Sequence, residues 1–334
     1  MHRTPEKIIR TLAREPGLVF TESMPLPRLT TIGTGGKTRL FVQVETLAAL
    51  KKLMPELEPP WFVLGAGSNL LVSDREFPGV IIRLGRGFRR LRRTGERLSC
   101  GAAVALPRLV AAAVDAGFAG FEELSGIPGT LGGAAAMNAG THLKQLGDLA
   151  HRLWMVDTAG VWQSFSRQAL RHDYRSSLAP AAGVVTAMTF LRLAGGDPEA
   201  QHQRAALLDG QRKVKHPWRR RTFGSTFKNP PGEVAARLID RAGLKGTCIG
   251  GARVSPVHAN FIENTGEATS LDVLELIKHV RSEVQRRFGV SLEPEVRLLG
   301  FTERELGELA PLAVSRNENL TAETQHITQK KLRG

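Results

Sequence analysis

The apolar positions of this chain fall into short clusters punctuated by glycine and proline, and only late do they settle into a helical period. Leu40 to Val44, Trp61 to Leu64, Leu70-Leu71-Val72 and Val80-Ile81-Ile82 read as strands, with Ser73-Asp74 and Pro78-Gly79 as turn signals between them. Leu106 to Ala116 predicts a helix ended by Gly117, and Val184 to Leu193, rich in β-branched and apolar residues, predicts another strand. Ala194-Gly195-Gly196-Asp197-Pro198 follows as the best domain boundary. Glu233 to Ala242 predicts a helix closed by Gly243, since glycine accepts the positive φ of that position. Thr269-Ser270-Leu271-Asp272 has the form of a capping box with Asp in place of Glu. Leu274, Ile277, Val280, Val284 and Phe288 then recur at helical spacing up to Gly289, which marks a core-facing stripe. The polar first 20 residues predict a loose helix, and Gln325 to Gly334 a mobile tail.

Composition narrows the class. A chain of 334 residues suggests two or three domains, and 42% hydrophobic with 23% charged residues is the balance of a soluble globular protein. No apolar run approaches the roughly 20 residues that span a bilayer, and the charged N-terminus lacks the apolar centre of a signal peptide. Cys100 and Cys248, the only two cysteines, form no CxxC pair, so a reduced cytoplasmic setting is expected. The net charge of +14 concentrates in Arg83 to Arg93 and Arg212 to Arg221. Phe88 and Trp218 are the only Phe, Tyr or Trp residues in these runs, and no groove-reading motif accompanies them, which argues against nucleic acid. The first run is expected to be a solvated hairpin; a positive rim that raises the on-rate of polyanionic ligands fits the charge better than nucleic-acid binding.

Three segments carry candidate chemistry. Gly65-Ala66-Gly67-Ser68-Asn69 runs on into the strand Leu70-Leu71-Val72, and Leu70 stands where the GxGxxG fingerprint needs glycine, which disfavours a Rossmann site. Gly126-Ile127-Pro128-Gly129-Thr130-Leu131-Gly132-Gly133 is denser, with Asn138-Ala139-Gly140 soon after. Glycine lets a ligand approach the main chain closely, and successive N–H groups in such turns make concave sites for phosphate oxygens. Two such loops suggest one large ligand with a pyrophosphate. The third segment, Gly224-Ser225-Thr226-Phe227-Lys228-Asn229-Pro230, groups a hydroxyl, a cation and an amide around an aromatic ring.

With Asp173 to Ser177, Gly243 to Phe261 and Leu292 to Gly300, these stretches resemble the UDP-N-acetylenolpyruvoylglucosamine reductases, flavoenzymes of bacterial cell-wall synthesis, in order and spacing from about Leu29 to Gly300. The resemblance implies an α+β fold: an N-terminal segment (1–20), an FAD-binding domain of the vanillyl-alcohol-oxidase or PCMH type (21–196) in two subdomains (about 21–84 and 85–196), a C-terminal α+β substrate-binding domain (197–301) and a partly mobile extension (302–334). It implies FAD held by the two glycine loops, NADPH as co-substrate, UDP-N-acetylglucosamine enolpyruvyl ether as substrate, a cytoplasmic location, and no metal, membrane or obligatory protein partner. Arg175, in Tyr174-Arg175-Ser176-Ser177, matches the group that stabilises the enolate formed during reduction, a role suited to a fixed guanidinium. Ser225 matches the proton donor; serine is a weak acid and needs support, for which Lys228 is a candidate. Glu295, in Leu292-Glu293-Pro294-Glu295-Val296-Arg297, matches the terminal acid acting with Arg175, in preference to Glu293. Tyr174, Lys228, Asn229 and Asn260 match substrate-contacting positions, and Lys215 lies near a phosphate-contacting one.

There are departures from the family pattern. Gly33-Thr34 precedes the paired Gly35-Gly36, Thr141-His142-Leu143 replaces a small-plus-aromatic pair followed by glycine, and His216 stands where Gln is frequent before Pro217. The 50-residue separation of Arg175 and Ser225 leaves no room for the tyrosine-bearing loop of one subclass, so the chain resembles the subclass without it. Two rivals remain at this stage: an oxidase of the same flavin fold, which has no use for a proton donor such as Ser225, and a non-enzymatic nucleotide-binding protein, which needs none of Arg175, Ser225 and Glu295.

Overall fold

The computed structural model describes residues 4–170, 174, 176, 183–192 and 197–310. Five strands open the chain: β1 (Leu18–Pro25), β2 (Lys37–Val44), β3 (Trp61–Val63), β4 (Leu70–Val72) and β5 (Phe77–Leu84). Four of them form a sheet in the order β1-β2-β5-β3, with β1 antiparallel to β2 and β2, β5 and β3 parallel. The continuous apolar run of β5 has a direct cause. Side chains alternate between sheet faces, so Val80 and Ile82 enter one core with Leu40 and Val42, while Ile81 enters another with Phe41, Leu64 and Leu299. A strand covered on both faces has no polar face to show.

A second sheet follows, all antiparallel, from β6 (Leu91–Thr94), β7 (Arg97–Gly101), β8 (Ala150–Asp157), β9 (Trp162–Ser166) and β10 (Gly183–Leu191), in the order β6-β7-β10-β8-β9. Only the end of the arginine run enters a hairpin, β6–β7, with Arg92 and Arg93 exposed; Arg83 lies in β5, and Phe88 is buried in the turn between. The two sheets share one core, into which helix Leu106–Asp115 sinks Leu106, Leu109, Val110, Ala113 and Val114.

The last part of the chain builds its own core around helix Ser270–Phe288, helix Ala235–Arg241 and a small antiparallel sheet of β11 (Cys248–Ile249), β12 (Ala252–Val254) and β13 (Ile262–Asn264). The capping box forms as the sequence predicts: Thr269 accepts from the Asp272 N–H, and the Asp272 carboxylate accepts from the Thr269 N–H. Gly289 ends the helix at φ +69°. The final strand, β14 (Arg297–Leu299), then leaves this domain and pairs in parallel with β4, Leu298 opposite Leu71.

Two features differ from expectation. Strand β1 follows a short helix, Pro5–Leu12, within the supposedly loose leader and just beyond it; it is largely exposed, so its apolar signal is weak. Helix Pro198–Lys215 packs on the first core rather than the second. Leu208 is buried, His202 hydrogen-bonds Asp115 (2.7 Å) and Arg204 reaches Glu123 (3.2 Å). By packing, the chain passes to the second core after Lys215, later than the Gly195 region suggested; residues 193–196 lie outside the described ones. Cys100 is buried, which pushes its thiol up to about 12, whereas Cys248 is exposed.

Candidate active site

One cleft of about 3130 Å³ lies where the two domains meet. It is several times larger than the roughly 300–1,000 Å³ of a typical small-molecule pocket. Both glycine loops line it, together with Tyr174, Ser225, Lys228, Asn229, Asn260 and Glu295.

The glycine loops are tight against their surroundings and against each other. Gly67 has φ +66°, and a Cβ there would overlap the Leu29 carbonyl oxygen and stand 2.9 Å from Thr30 Cα. A Cβ on Gly65 would sit 2.7 Å from Thr130 Oγ1, and one on Gly129 (φ +118°) 3.3 Å from Ser68 Oγ. The N–H groups of Ala66, Gly67, Ser68, Gly129 and Thr130 donate to no described residue. Thr130 caps helix Leu131–Met137 by accepting from the Gly133 N–H (3.3 Å), and the Arg212 guanidinium braces the second loop from behind by donating to the Ser125 carbonyl. Unspent donors in a glycine-rich cleft wall suit a phosphate-bearing cofactor, so these residues fit the FAD that the sequence implies. Asn138, by contrast, is structural. In a left-handed conformation it accepts from Gly147 N–H (2.9 Å) and donates to Gln145 (2.7 Å).

The catalytic candidates converge through backbone. Ser225 bridges Phe261, and its neighbour Thr226 donates its N–H to the Asn260 carbonyl (2.8 Å) and accepts from the Glu295 N–H (2.8 Å). The Glu295 carbonyl in turn accepts from Asn69 Nδ2 (3.1 Å). Arg297, two residues on, donates to the Ala136 carbonyl (2.9 Å). The first glycine loop, the Ser225 segment and Glu295 are thus one hydrogen-bonded unit. Arg175 lies outside the described residues. Tyr174 and Ser176 are described and line the cleft, Tyr174 being 44% exposed.

Several site residues are committed differently from the sequence expectation. Lys228 does not support Ser225: its ammonium pairs with Glu293 at 2.7 Å, the glutamate set aside in favour of Glu295. Asn260 is buried and uses both ends of its amide on one residue, accepting from Phe227 N–H (2.9 Å) and donating to the Phe227 carbonyl (2.8 Å). Asn229 Oδ1 accepts from the Ala235 N–H (3.1 Å) at the start of the following helix. Sequence reading showed their polarity but not these partners.

A third group escaped sequence reading. His216, His258 and Phe261 form a cluster on the cleft wall, with ring centroids 5.2 Å apart for the two imidazoles, 4.9 Å for His216–Phe261 and 4.8 Å for His258–Phe261. Burial, and then the adjacent His258, lower the His216 imidazole from 6.5 to about 4; burial lowers His258 as well. A free imidazole titrates near 6.5, so as pH falls the unfolded chain takes up this proton first. Stability from neutral His216 is therefore full above pH 6.5 and lost as pH falls towards 4. The ring is only partly shielded, which reduces the effect to on the order of 1–2 kcal/mol. Urea midpoints measured from about pH 7 to 4.5 should fall, and should fall less in His216→Asn; equal slopes would refute the assignment.

Comparison with known proteins bears on the whole site. The model of the "UDP-N-acetylenolpyruvoylglucosamine reductase, C-terminal domain" family matches residues 216–299, and that of the "FAD binding domain" family matches residues 39–166. A UDP-N-acetylenolpyruvoylglucosamine reductase of Anaeromyxobacter sp. (strain Fw109-5) is 44% identical over 281 residues, covering 83% of this chain and 87% of the relative. One from Halalkalibacterium halodurans is 37% identical over 274 residues, covering 81% and 91%. The crystal structure of UDP-N-acetylenolpyruvylglucosamine reductase from Thermus caldophilus superposes with a TM-score of 0.73 at 38% identity, covering 85% of this chain and 99% of that one.

Proposed function

Since the chain belongs to the UDP-N-acetylenolpyruvoylglucosamine reductases, flavin-dependent oxidoreductases of peptidoglycan synthesis, we propose that it reduces UDP-N-acetylglucosamine enolpyruvyl ether to UDP-N-acetylmuramate at the expense of NADPH, in the cytoplasm. The observation that supports this reading is the hydrogen-bonded chain from Asn69 through Glu295 to Thr226, which ties the Ser225 segment and Glu295 to the first glycine loop. FAD, when bound, supplies the relay of a hydride from the nicotinamide to the methylene carbon of the enolpyruvyl group. Within the two glycine loops, the unspent N–H groups of Ala66, Gly67, Ser68, Gly129 and Thr130 would hold its phosphates.

The protein's own part is to manage charge and a proton. Hydride arriving at the methylene carbon leaves an electron pair on the carbon that bears the carboxylate. Arg175 and Glu295 stabilise and orient that enolate. Ser225 delivers its hydroxyl proton to the same carbon and recovers one from solvent, so hydride and proton together saturate the double bond and leave a lactyl ether. Asn260 and Glu295 fix the backbone of Thr226, next to Ser225, from two sides, which matters because a weak acid acts only when held in line. Tyr174, Lys228 and Asn229 complete the substrate wall.

The test is spectroscopic. Purified protein should be yellow, bleach on anaerobic addition of NADPH, and regain its colour on addition of the enolpyruvyl ether. Steady-state plots should be parallel, as for two substrates that use one cleft in turn. A colourless protein that takes up no FAD would sink the proposal, and rapid recovery with oxygen alone would favour an oxidase.

A further inference from the structure

The basic run from Arg212 to Arg221 is not absorbed by the chemistry above, and its members do different things. Arg212 braces the second glycine loop. Arg221 is built into the domain interface: its carbonyl accepts from Asn264 N–H (2.9 Å), and a Cβ on Gly33 would meet its Cδ at 3.4 Å. Between them Trp218, Arg219 and Arg220 line the cleft, all three exposed.

Three observations set this turn apart from an ordinary solvated face. Trp218 is 59% exposed, a large apolar ring left in water at the mouth of a binding cleft. Lys213, itself held by Asp209 at 2.5 Å, sits 5.3 Å from the indole centroid, so the ring carries a cation beside it. Arg219 has φ +66°, a left-handed conformation that costs any residue with a Cβ and that clusters at functional sites. The strain is held from both sides, by Trp218 N–H donating to the His216 carbonyl (2.7 Å) and Arg220 N–H donating to the Pro217 carbonyl (3.1 Å). Neither Arg219 nor Arg220 forms an ion pair with a described acidic residue.

We propose that the Trp218-Arg219-Arg220 turn holds the nucleotide end of a substrate, the indole stacking on a base and the two guanidiniums taking a phosphate. This rests on the reductase reading, in which both substrates are nucleotides. An aromatic face accepts any base, and a guanidinium fork matches phosphate oxygens. That chemistry is shared by the uridine diphosphate of the enolpyruvyl substrate and by the adenosine 2′-phosphate of NADPH.

The test uses the flavin-loaded enzyme and two probes, UDP and adenosine 2′,5′-bisphosphate, titrated calorimetrically. The variants are Trp218→Ala and the double substitution Arg219→Gly with Arg220→Ser. Glycine at 219 keeps the left-handed backbone, so flavin content and the thermal midpoint should hold or rise while binding falls. Losing charge-assisted contacts should weaken a probe by about 10- to 100-fold. Weakening of UDP alone assigns the turn to the sugar-nucleotide substrate, weakening of the bisphosphate alone to the dinucleotide, and weakening of both to a subsite used in turn. Affinities for both probes within about twofold of the parent, in both variants, would overturn the proposal. If the parent passes electrons from NADPH to the enolpyruvyl ether and the variants bind normally, only this assignment fails. If the parent neither turns over nor binds either probe, the reductase reading fails with it.

Discussion

Ser225→Ala is expected to split the catalytic cycle in two. Reduction of the flavin by NADPH should proceed at the parent rate, because no proton donor is needed when hydride leaves the nicotinamide. Re-oxidation by the enolpyruvyl ether should slow by about 10²- to 10⁴-fold, the range over which a positioned general acid contributes. Stopped-flow absorbance of the flavin reads the two halves separately. The substitution should leave the fold intact: Ser225 is half-buried, its bridge to Phe261 is made by backbone, and its neighbours are fixed by Asn260 and by the Glu295 N–H. The Thr226 carbonyl and the Phe227 amide hold the segment whatever side chain stands at 225. Re-oxidation within about threefold of the parent would deny Ser225 the acid role. Slowing of both halves together would instead point to a disturbed cofactor loop.

What could be read from sequence divides along a physical line. Segments whose chemistry is written in the backbone were legible, because glycine positions and turn residues declare themselves locally. The two glycine loops, the capping box at Thr269 and the stop at Gly289 all appear where their residues predict. Strand β5 was legible as a strand but not as one buried on both faces, since that depends on β14 and β4 closing the second face. Side-chain pairing across long separations was hidden. Lys228 meets Glu293 across 65 positions, and Asn260 meets Phe227 across 33, so a residue's type revealed that it was polar without revealing that it was already spent. His216 looked like a replacement for glutamine; only the fold brings His258 and Phe261 against it and keeps it neutral. Residues 198–215, a helix not predicted from the sequence, were grouped with the C-terminal domain for a related reason. Its buried residues include Gln201 and few apolar ones, so its allegiance to the first core rests on polar contacts with Asp115, Glu123 and Ser125 rather than on a stripe.

Gly67→Ala is expected to have the largest effect on the fold. The left-handed φ of +66° alone costs an alanine about 1–2 kcal/mol. Gly246, at φ +79° with nothing within 4 Å of an added Cβ, is the position that measures this backbone cost by itself. At Gly67 a second cost is added, because the Cβ would overlap the Leu29 carbonyl oxygen and crowd Thr30 Cα at 2.9 Å. Those atoms are not free to retreat. Thr31 N–H donates to the Gly67 carbonyl (3.1 Å), Thr31 Oγ1 stands 2.6 Å from the Thr222 carbonyl oxygen it donates to, and Ile32 is buried in the C-terminal core. Pushing residues 29 and 30 away therefore strains the contact between the domains as well as the loop. Gly67→Ala should lower stability by about 3–5 kcal/mol, against about 1 kcal/mol for Gly246→Ala. It should also shed flavin, read as loss of visible absorbance per protein on dilution, while Gly246→Ala retains it. Equal urea midpoints and equal flavin retention in the two variants would show that the close approach at Gly67 is not what shapes the cofactor loop.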